Sequence, residues 1–189
     1  ELNPETFSIC KADMLITNED PENIRLGNSL SKDQFKDQKF QYMITNPPYG
    51  VSWKSDVNFV RNECQNSGGR FSAGTPRTSD GQLLFLQHLI SKMDPSGSRI
   101  GIVFNGSPLF TGGASSGESE IRKWLIEKDW LESIVSLPDR MFFNTGITTY
   151  LWIVTNKKSK KRKNKIQLID ATSFSSDLRK NLGHKNKYI

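Results

Sequence analysis

A short apolar run, FQYMIT at 40–45, leads straight into Asn46-Pro47-Pro48-Tyr49-Gly50. Proline has no backbone N–H to give to a ladder, so two in succession end an interior strand and turn the chain outward. The chain must therefore hold a strand whose end opens into a rigid loop carrying an amide and an aromatic ring. The same grammar recurs downstream. RIGIVF at 99–104 reads as a buried strand that runs into a Gly/Ser-rich loop, 105–117. Residues 131–137, 148–155 and 166–169 read as further strands, and Ile24 to Leu26 as a short one.

Helical patterns lie between these runs. Asn3-Pro4-Glu5 is a helix start, with Asn as cap, Pro at the first position and an acid in the first turn. Phe7, Cys10 and Met14 then share one face, and the helix should end near Thr17-Asn18. A short helix is expected over Val57 to Cys64. Ser79 with Gln82 resembles a capping box that opens a helix over 80–93, with Leu83, Leu86, Ile90 and Met93 on one face. Pro95 and Gly97 stop it. A third helix is expected over 118–128, with Ile121, Trp124 and Leu125 inward. Strands alternating with helices predict an α/β fold, a doubly wound and mostly parallel sheet. The long polar stretch 51–79, with Gly68, Gly69 and Gly74, reads as a functional or a disordered loop.

At 189 residues the chain is long enough to bury a core of its own. Its unbroken apolar runs are only a few residues long, whereas a spanning helix needs about 20, so a membrane-spanning helix is excluded. Cys10 and Cys64 are too few for a disulfide framework or a thiolate metal site. His88 is a lone histidine within a helix, so no metal is expected. Free thiols and the lack of a secretory signal suit the cytoplasm. The chain does not begin with Met, and a piece of a longer protein is expected.

Net charge is +6, yet Lys157 to Lys165 (KKSKKRKNK) holds seven basic residues in nine. Removing those seven charges from +6 leaves −1, so the positive charge is local. Such a run suits a phosphate contact, although on charge alone a solvated loop or linker is the simpler reading. The expected organisation is a catalytic part over 1–156, a basic loop or linker over 157–165 and a C-terminal extension over 166–189.

Asn46 to Tyr49 carry the chemistry. In an open α/β sheet, ligands bind beyond the carboxyl ends of the strands. The Asn46 side-chain oxygen and a proline carbonyl can accept both hydrogens of a substrate –NH₂ group, which aims the nitrogen lone pair at an electrophile. The same oxygens stabilise positive charge as it develops on that nitrogen. Tyr49 offers a face for a planar base. The pentapeptide is also good turn chemistry, and its position after a buried-type strand favours the functional reading.

The motif at 46–49 resembles the (D/N/S)PP(Y/F/W) signature of amino-directed DNA methyltransferases that use S-adenosylmethionine. Further stretches resemble the modification subunit of type I restriction–modification systems: ELNPETFSICKADM at 1–14, LGNSL at 26–30, ITNPPYGVSW at 44–53, GQLLFLQHL at 81–89, SRIGIVFNGSPLFTGG at 98–113 and LPDRMFFNTGITTYLWIVTNKK at 137–158. The resemblance implies a Rossmann-like methyltransferase fold, here incomplete, with the first strand and its Gly-rich loop missing. It implies methylation of the N6 amine of adenine. The pocket chemistry alone does not separate adenine from cytosine. It implies S-adenosylmethionine as cofactor, with Glu1 accepting from the ribose hydroxyls, Leu2 packing on the adenine ring, and Asn28 standing where many relatives have Asp. It implies that Asn46 and Pro47 hold the amine, with Pro48 completing the motif and Tyr49 stacking on a flipped base. Phe142 and Phe143 would form the other wall of the base pocket, or a core contact. DNA, a specificity subunit and a restriction subunit that can join are the implied partners, and a fragment alone is expected to be inactive. Two other readings stay open at this point: a protein-glutamine methyltransferase, whose amide poses the same chemical problem, and a non-catalytic DNA- or partner-binding module.

Overall fold

The computed structural model describes residues 1–143 and 145–189. In chain order the elements are α1 (Pro4–Ile16), β1 (Tyr42–Thr45), α2 (Val57–Gln65), α3 (Gln82–Ser91), β2 (Arg99–Phe104), the single turn α4 (Ser107–Phe110), α5 (Gly117–Glu127), β3 (Leu131–Ser136), β4 (Tyr150–Thr155), β5 (Gln167–Asp170), β6 (Ser176–Leu182) and β7 (Lys185–Tyr188). Among the described residues no helix is long and apolar enough to cross a membrane.

Five strands form one sheet in the order β1-β2-β4-β3-β5. β1 lies parallel to β2, with Thr45 opposite Ile102, and β5 lies parallel to β3. β4 runs antiparallel to both β2 and β3. The sheet is therefore mixed, not mostly parallel. Among its described residues the connection from β3 to β4 holds no helix, and β4 returns in the opposite direction. The strand expected at Ile24 to Leu26 does not form, and those residues run as irregular chain. β5 joins the main sheet at the edge beside β3.

One face of the sheet is the core. Met43, Ile100, Ile102, Phe104, Trp152 and Val154 alternate inward along their strands and meet Leu83, Leu86 and Ile90 of α3 with Ile121 and Leu125 of α5. Fully burying an aliphatic side chain of this size contributes about 1.5–3 kcal/mol. The edge strand β1 turns Ile44 the other way, 90% exposed. A second cluster of Leu30, Trp53, Val60, Phe71 and Leu84 packs α2 and the long loop against the outer side of α3.

Helix starts follow the sequence closely in two cases. The Asn3 side chain accepts from the N–H groups of Glu5 and Thr6, and the Ser116 hydroxyl accepts from Ser119 N. α3 is different: it begins at Gln82, not near Asp80, and Ser79 does not cap it. Asp80 Oδ1 accepts from Gln82 N at 3.2 Å instead, which frees the Gln82 side chain for the site described below. On α1, Phe7, Cys10 and Met14 do form the more covered face, yet none is fully buried.

A charged cluster locks the long loop to α3. The Arg70 guanidinium grips both Glu63 carboxylate oxygens at 2.7 Å, donates to the carbonyls of Ser29 and Leu30, and lies 2.9 Å from His88 Nδ1. Arg is always a donor, so His88 Nδ1 accepts and the ring is neutral. Burial, and next the Arg70 charge, push the His88 pKa down to about 4. Nearby, Lys92 reaches Asp33 at 2.5 Å.

Candidate active site

β1 and β2 are adjacent and parallel, so the loops after Thr45 and after Phe104 leave the same end of the sheet. β4 starts at that end, since Tyr150 lies opposite Phe104 and Ser136. The β3–β4 connection, with Phe142 and Phe143, therefore arrives there too. Three loops thus converge where an α/β sheet binds its ligand.

Asn46 and Pro48 are exposed, Pro47 is buried and Tyr49 is half-buried. The Tyr49 hydroxyl donates to Asn46 Oδ1 at 2.5 Å. Burial raises the Tyr49 pKa above its ordinary value, so the hydroxyl keeps its proton as a donor. Gly50, with φ +61°, then reverses the chain in a conformation that favours glycine.

The segment after the motif is strapped down. Gly81 N donates to Val51 O, Trp53 N to Thr78 O, and Trp53 Nε1 to Arg77 O, all within 3.1 Å. The next link is Gln82, fully buried at 1% exposure. Its Nε2 donates to Asp80 and to Asn105 Oδ1 at 2.9 Å, while its Oε1 accepts from Asn105 N at 3.3 Å. Ser107 Oγ donates to Asp80 Oδ2 at 2.7 Å, and Arg77 Nη2 donates to Ser107 Oγ at 2.9 Å. One amide side chain thereby ties the loop after β1 to the loop after β2. Sequence reasoning missed Asp80, Gln82, Asn105 and Ser107. Asp80 ahead of an apolar helix hints at a cap, but nothing in the sequence points from Gln82 to Asn105.

Glu1 lies beside the segment that carries Asn28. Gly27 N donates to Glu1 O at 2.8 Å, and the Glu1 main-chain nitrogen donates to Arg25 O. Glu1 Oε1 accepts from Asn3 N, which leaves the second oxygen for a ligand. Asn28 donates to Asp56 Oδ1 and accepts from Leu30 N, leaving one N–H and one lone pair. Leu2 is 66% exposed. A cavity of about 440 Å³ runs from Glu1, Arg25 and Gly27 to Ile44 and Thr45; Leu2, Asn28 and Asn46 do not line it. That volume lies in the range of small-molecule sites, roughly 300–1,000 Å³.

Phe143 is 56% exposed, and the hairpin of β6 and β7 backs its loop. Lys185 Nζ lies 4.9 Å from the Phe143 ring centre, His184 N donates to Phe143 O, and Lys187 pairs with Asp139 at 2.5 Å. Phe142 is half-buried and bridges to Thr145.

The family model described as N-6 DNA methylase matches residues 1–187. The chain belongs to the N-6 DNA methylase family. It is 30% identical over 172 residues to the type I restriction enzyme HindI methylase subunit of Haemophilus influenzae, covering 90% of this chain and 36% of that protein. It is 27% identical over 174 residues to the MjaIX methylase subunit of Methanocaldococcus jannaschii, covering 91% of this chain and 30% of that one. The solved methyltransferase subunit of a type I restriction–modification system from Streptococcus thermophilus superposes with a TM-score of 0.79 at 25% identity, over 98% of this chain and 38% of that one. The EcoKI M protein superposes with a TM-score of 0.70 at 26% identity, over 98% of this chain and 37% of that one. The chain therefore spans about a third of the length of these relatives. Its mixed sheet with helices is part of a Rossmann-like methyltransferase fold.

Proposed function

We propose that this chain carries the target-base site of a type I restriction–modification methylase subunit, which methylates the N6 amine of adenine in DNA. The observation that carries the reading is Asn46-Pro47-Pro48-Tyr49 at the carboxyl end of β1, beside the loop after the parallel strand β2. Membership of the N-6 DNA methylase family supports adenine over the protein-glutamine alternative. A specificity subunit that reads the DNA sequence, and a restriction subunit, are the proposed partners. With DNA as substrate the protein works in the cytoplasm. The proposed organisation has the catalytic part ending near 156, a basic loop over 157–165, and a following segment whose hairpin supports the Phe142–Phe143 loop.

When bound, S-adenosylmethionine supplies a methyl group activated by its sulfonium. Glu1, Leu2 and Asn28 fit its adenosine half: a carboxylate oxygen for the ribose, an exposed apolar side chain for the ring, and an amide with one donor and one acceptor to spare. Beyond the end of β1, Asn46 Oδ1 and the Pro47 carbonyl accept the two amine hydrogens of the flipped adenine and fix the direction of its lone pair. They also stabilise the charge that forms on the nitrogen. No general base is needed, because the proton leaves after the methyl group is bonded. Tyr49 stacks on the base, with the Phe142–Phe143 loop as the opposite wall.

The test uses the full-length protein with its specificity partner. It is incubated with DNA and S-adenosylmethionine, and digested nucleosides are separated by mass. N6-methyladenine from the wild type, reduced at least about 100-fold in Asn46→Ala, is the expected result, in line with loss of one preorganised polar partner. No methylated base from the wild type, or an undiminished yield from Asn46→Ala, overturns the reading.

A further inference from the structure

The basic run sits at the wrong end of the sheet to serve the target base. β4 is antiparallel to β2, with Thr155 opposite Arg99, so the chain after Thr155 emerges where β1 and β2 begin. Asn46 and Asn105 emerge where those strands finish. Six residues of strand separate the two ends by about 20 Å.

The run is also a built loop. The Asp129 carboxylate accepts from Lys158 Nζ at 2.5 Å and from Asn164 N at 2.9 Å. Lys158 Nζ, its side chain 2% exposed, also donates to Lys165 O. Arg162 N donates to Ser159 O, and Lys165 N to Arg162 O. Arg162 bonds Gln167 and lies 4.0 Å from Glu132. Folding the loop around one buried lysine and one acid leaves Lys160, Lys161, Lys163 and Lys165 exposed, and among the described residues they form no ion pair.

We propose that this loop is a second DNA-docking site, holding a duplex segment by its phosphates at the end of the sheet opposite the target-base site. Residues 157–165 contain no apolar side chain, so the loop has no anchor of the kind that protein interfaces use, and lysine is depleted in such interfaces. Phosphate contacts need only positive charge, fixed in place. The rest of the chain is left near neutral once this loop is set aside, so the positive field is concentrated here. The partner class rests on the DNA reading of the active site, while the contact itself does not involve that site.

The test is capture of a second duplex. The full-length methylase with its specificity partner is held on a short duplex carrying the target site, and a second, labelled duplex without the site is added over a salt series. The wild type is expected to capture it with a log–log salt slope of about −3 to −4, near 0.9 per phosphate contacted. The combined variant Lys160→Gln, Lys161→Gln, Lys163→Gln, Lys165→Gln is expected to lose at least about tenfold in capture and to flatten the slope. Methylation of the short duplex is expected to stay within about twofold, since phosphate contacts remote from the target base do not act on it. Either of two results overturns the proposal: no capture by the wild type, or equal capture by the variant. Loss of capture together with methylation also overturns it, since the loop would then serve the target duplex. A wild type that captures the second duplex but makes no N6-methyladenine fails the active-site reading and leaves the docking loop standing.

Discussion

The Tyr49 hydroxyl sits on the very oxygen that the proposed mechanism needs. Asn46 Oδ1 has two lone pairs, and Tyr49 holds one at 2.5 Å. The amine of a flipped base must share that oxygen or displace the hydroxyl. The ring and the hydroxyl of Tyr49 thus have separable effects. Tyr49→Phe keeps the stacking face and frees the oxygen, so kcat is expected within about threefold of wild type or above it. Tyr49→Ala loses a stacked base worth about 1–3 kcal/mol, so the KM for DNA is expected to rise about 5- to 150-fold. Steady-state methylation of an oligonucleotide series distinguishes them. Equal defects in the two variants would remove the ring from the mechanism. The motif itself was legible in the sequence because proline punctuation after an apolar run is local. The Tyr49–Asn46 bond was not, since it depends on the turn that Gly50 closes.

At the scale of elements, the site depends on two loops being held together by Gln82. Its amide meets Asn105 with both a donor and an acceptor, while Asp80 orients it from the other side. Gln82→Leu keeps the volume and leaves Asp80 and Asn105 short of partners. A cost of about 1–3 kcal/mol in unfolding free energy is expected. A merely structural role would stop there. Loss of a positioning residue should also lower kcat at saturating DNA, and Gln82→Glu should not rescue it, since a carboxylate there loses the donor and faces Asp80. Unchanged kcat in a folded Gln82→Leu protein would sink the positioning role. The periodic elements, α1, α3, α5 and β1 to β5, were legible from their apolar spacing. Strand direction was not, because hydropathy is the same read either way, and so the antiparallel β4 escaped. β6 and β7 escaped for another reason. SDLRKNL and KNKY are polar on both faces, and only Gly183 at φ +62° marks their turn. Ile24 to Leu26 misled for the converse reason: three residues of strand-like composition have no ladder partner there.

The molecule as a whole carries an acid-sensitive clamp at His88. The ring is neutral because it is buried and because Arg70 donates to it, with Lys92 also near and with Asp33 and Glu63 pulling the other way. Its folded pKa of about 4 lies below the unfolded value of about 6.5. Between those values the unfolded chain binds the extra proton, so stability is complete above about pH 6.5 and falls as pH drops toward 4, by about 3 kcal/mol at most. Urea unfolding at pH 7 and pH 5 should show a loss of about 2 kcal/mol. His88→Gln, which keeps an acceptor for Arg70 and takes no proton, should abolish most of that difference. An unchanged slope in the variant would assign the acid sensitivity elsewhere. Asp33 and Glu63 do not confuse the window. Burial opposes their charge, but Lys92 and Arg70 hold both below their ordinary values, so their contribution disappears only at lower pH.

β4 lies between β2 and β3 but is the last of the three in the chain. During synthesis, β1 with its NPPY loop, β2 and β3 all leave the ribosome before the strand that joins them. Until residue 155 has emerged, β2 and β3 each show an open edge where β4 will lie, the geometry that invites pairing with another copy. The β2–β4 ladder joins residues as much as 56 positions apart, from Arg99 to Thr155, and such closures are slow. Birth of the active site and closure of the sheet beneath it are thus separate events in time. A pause or a premature stop between residues 137 and 149 would release a chain bearing its catalytic motif on an unfinished, self-adhesive sheet.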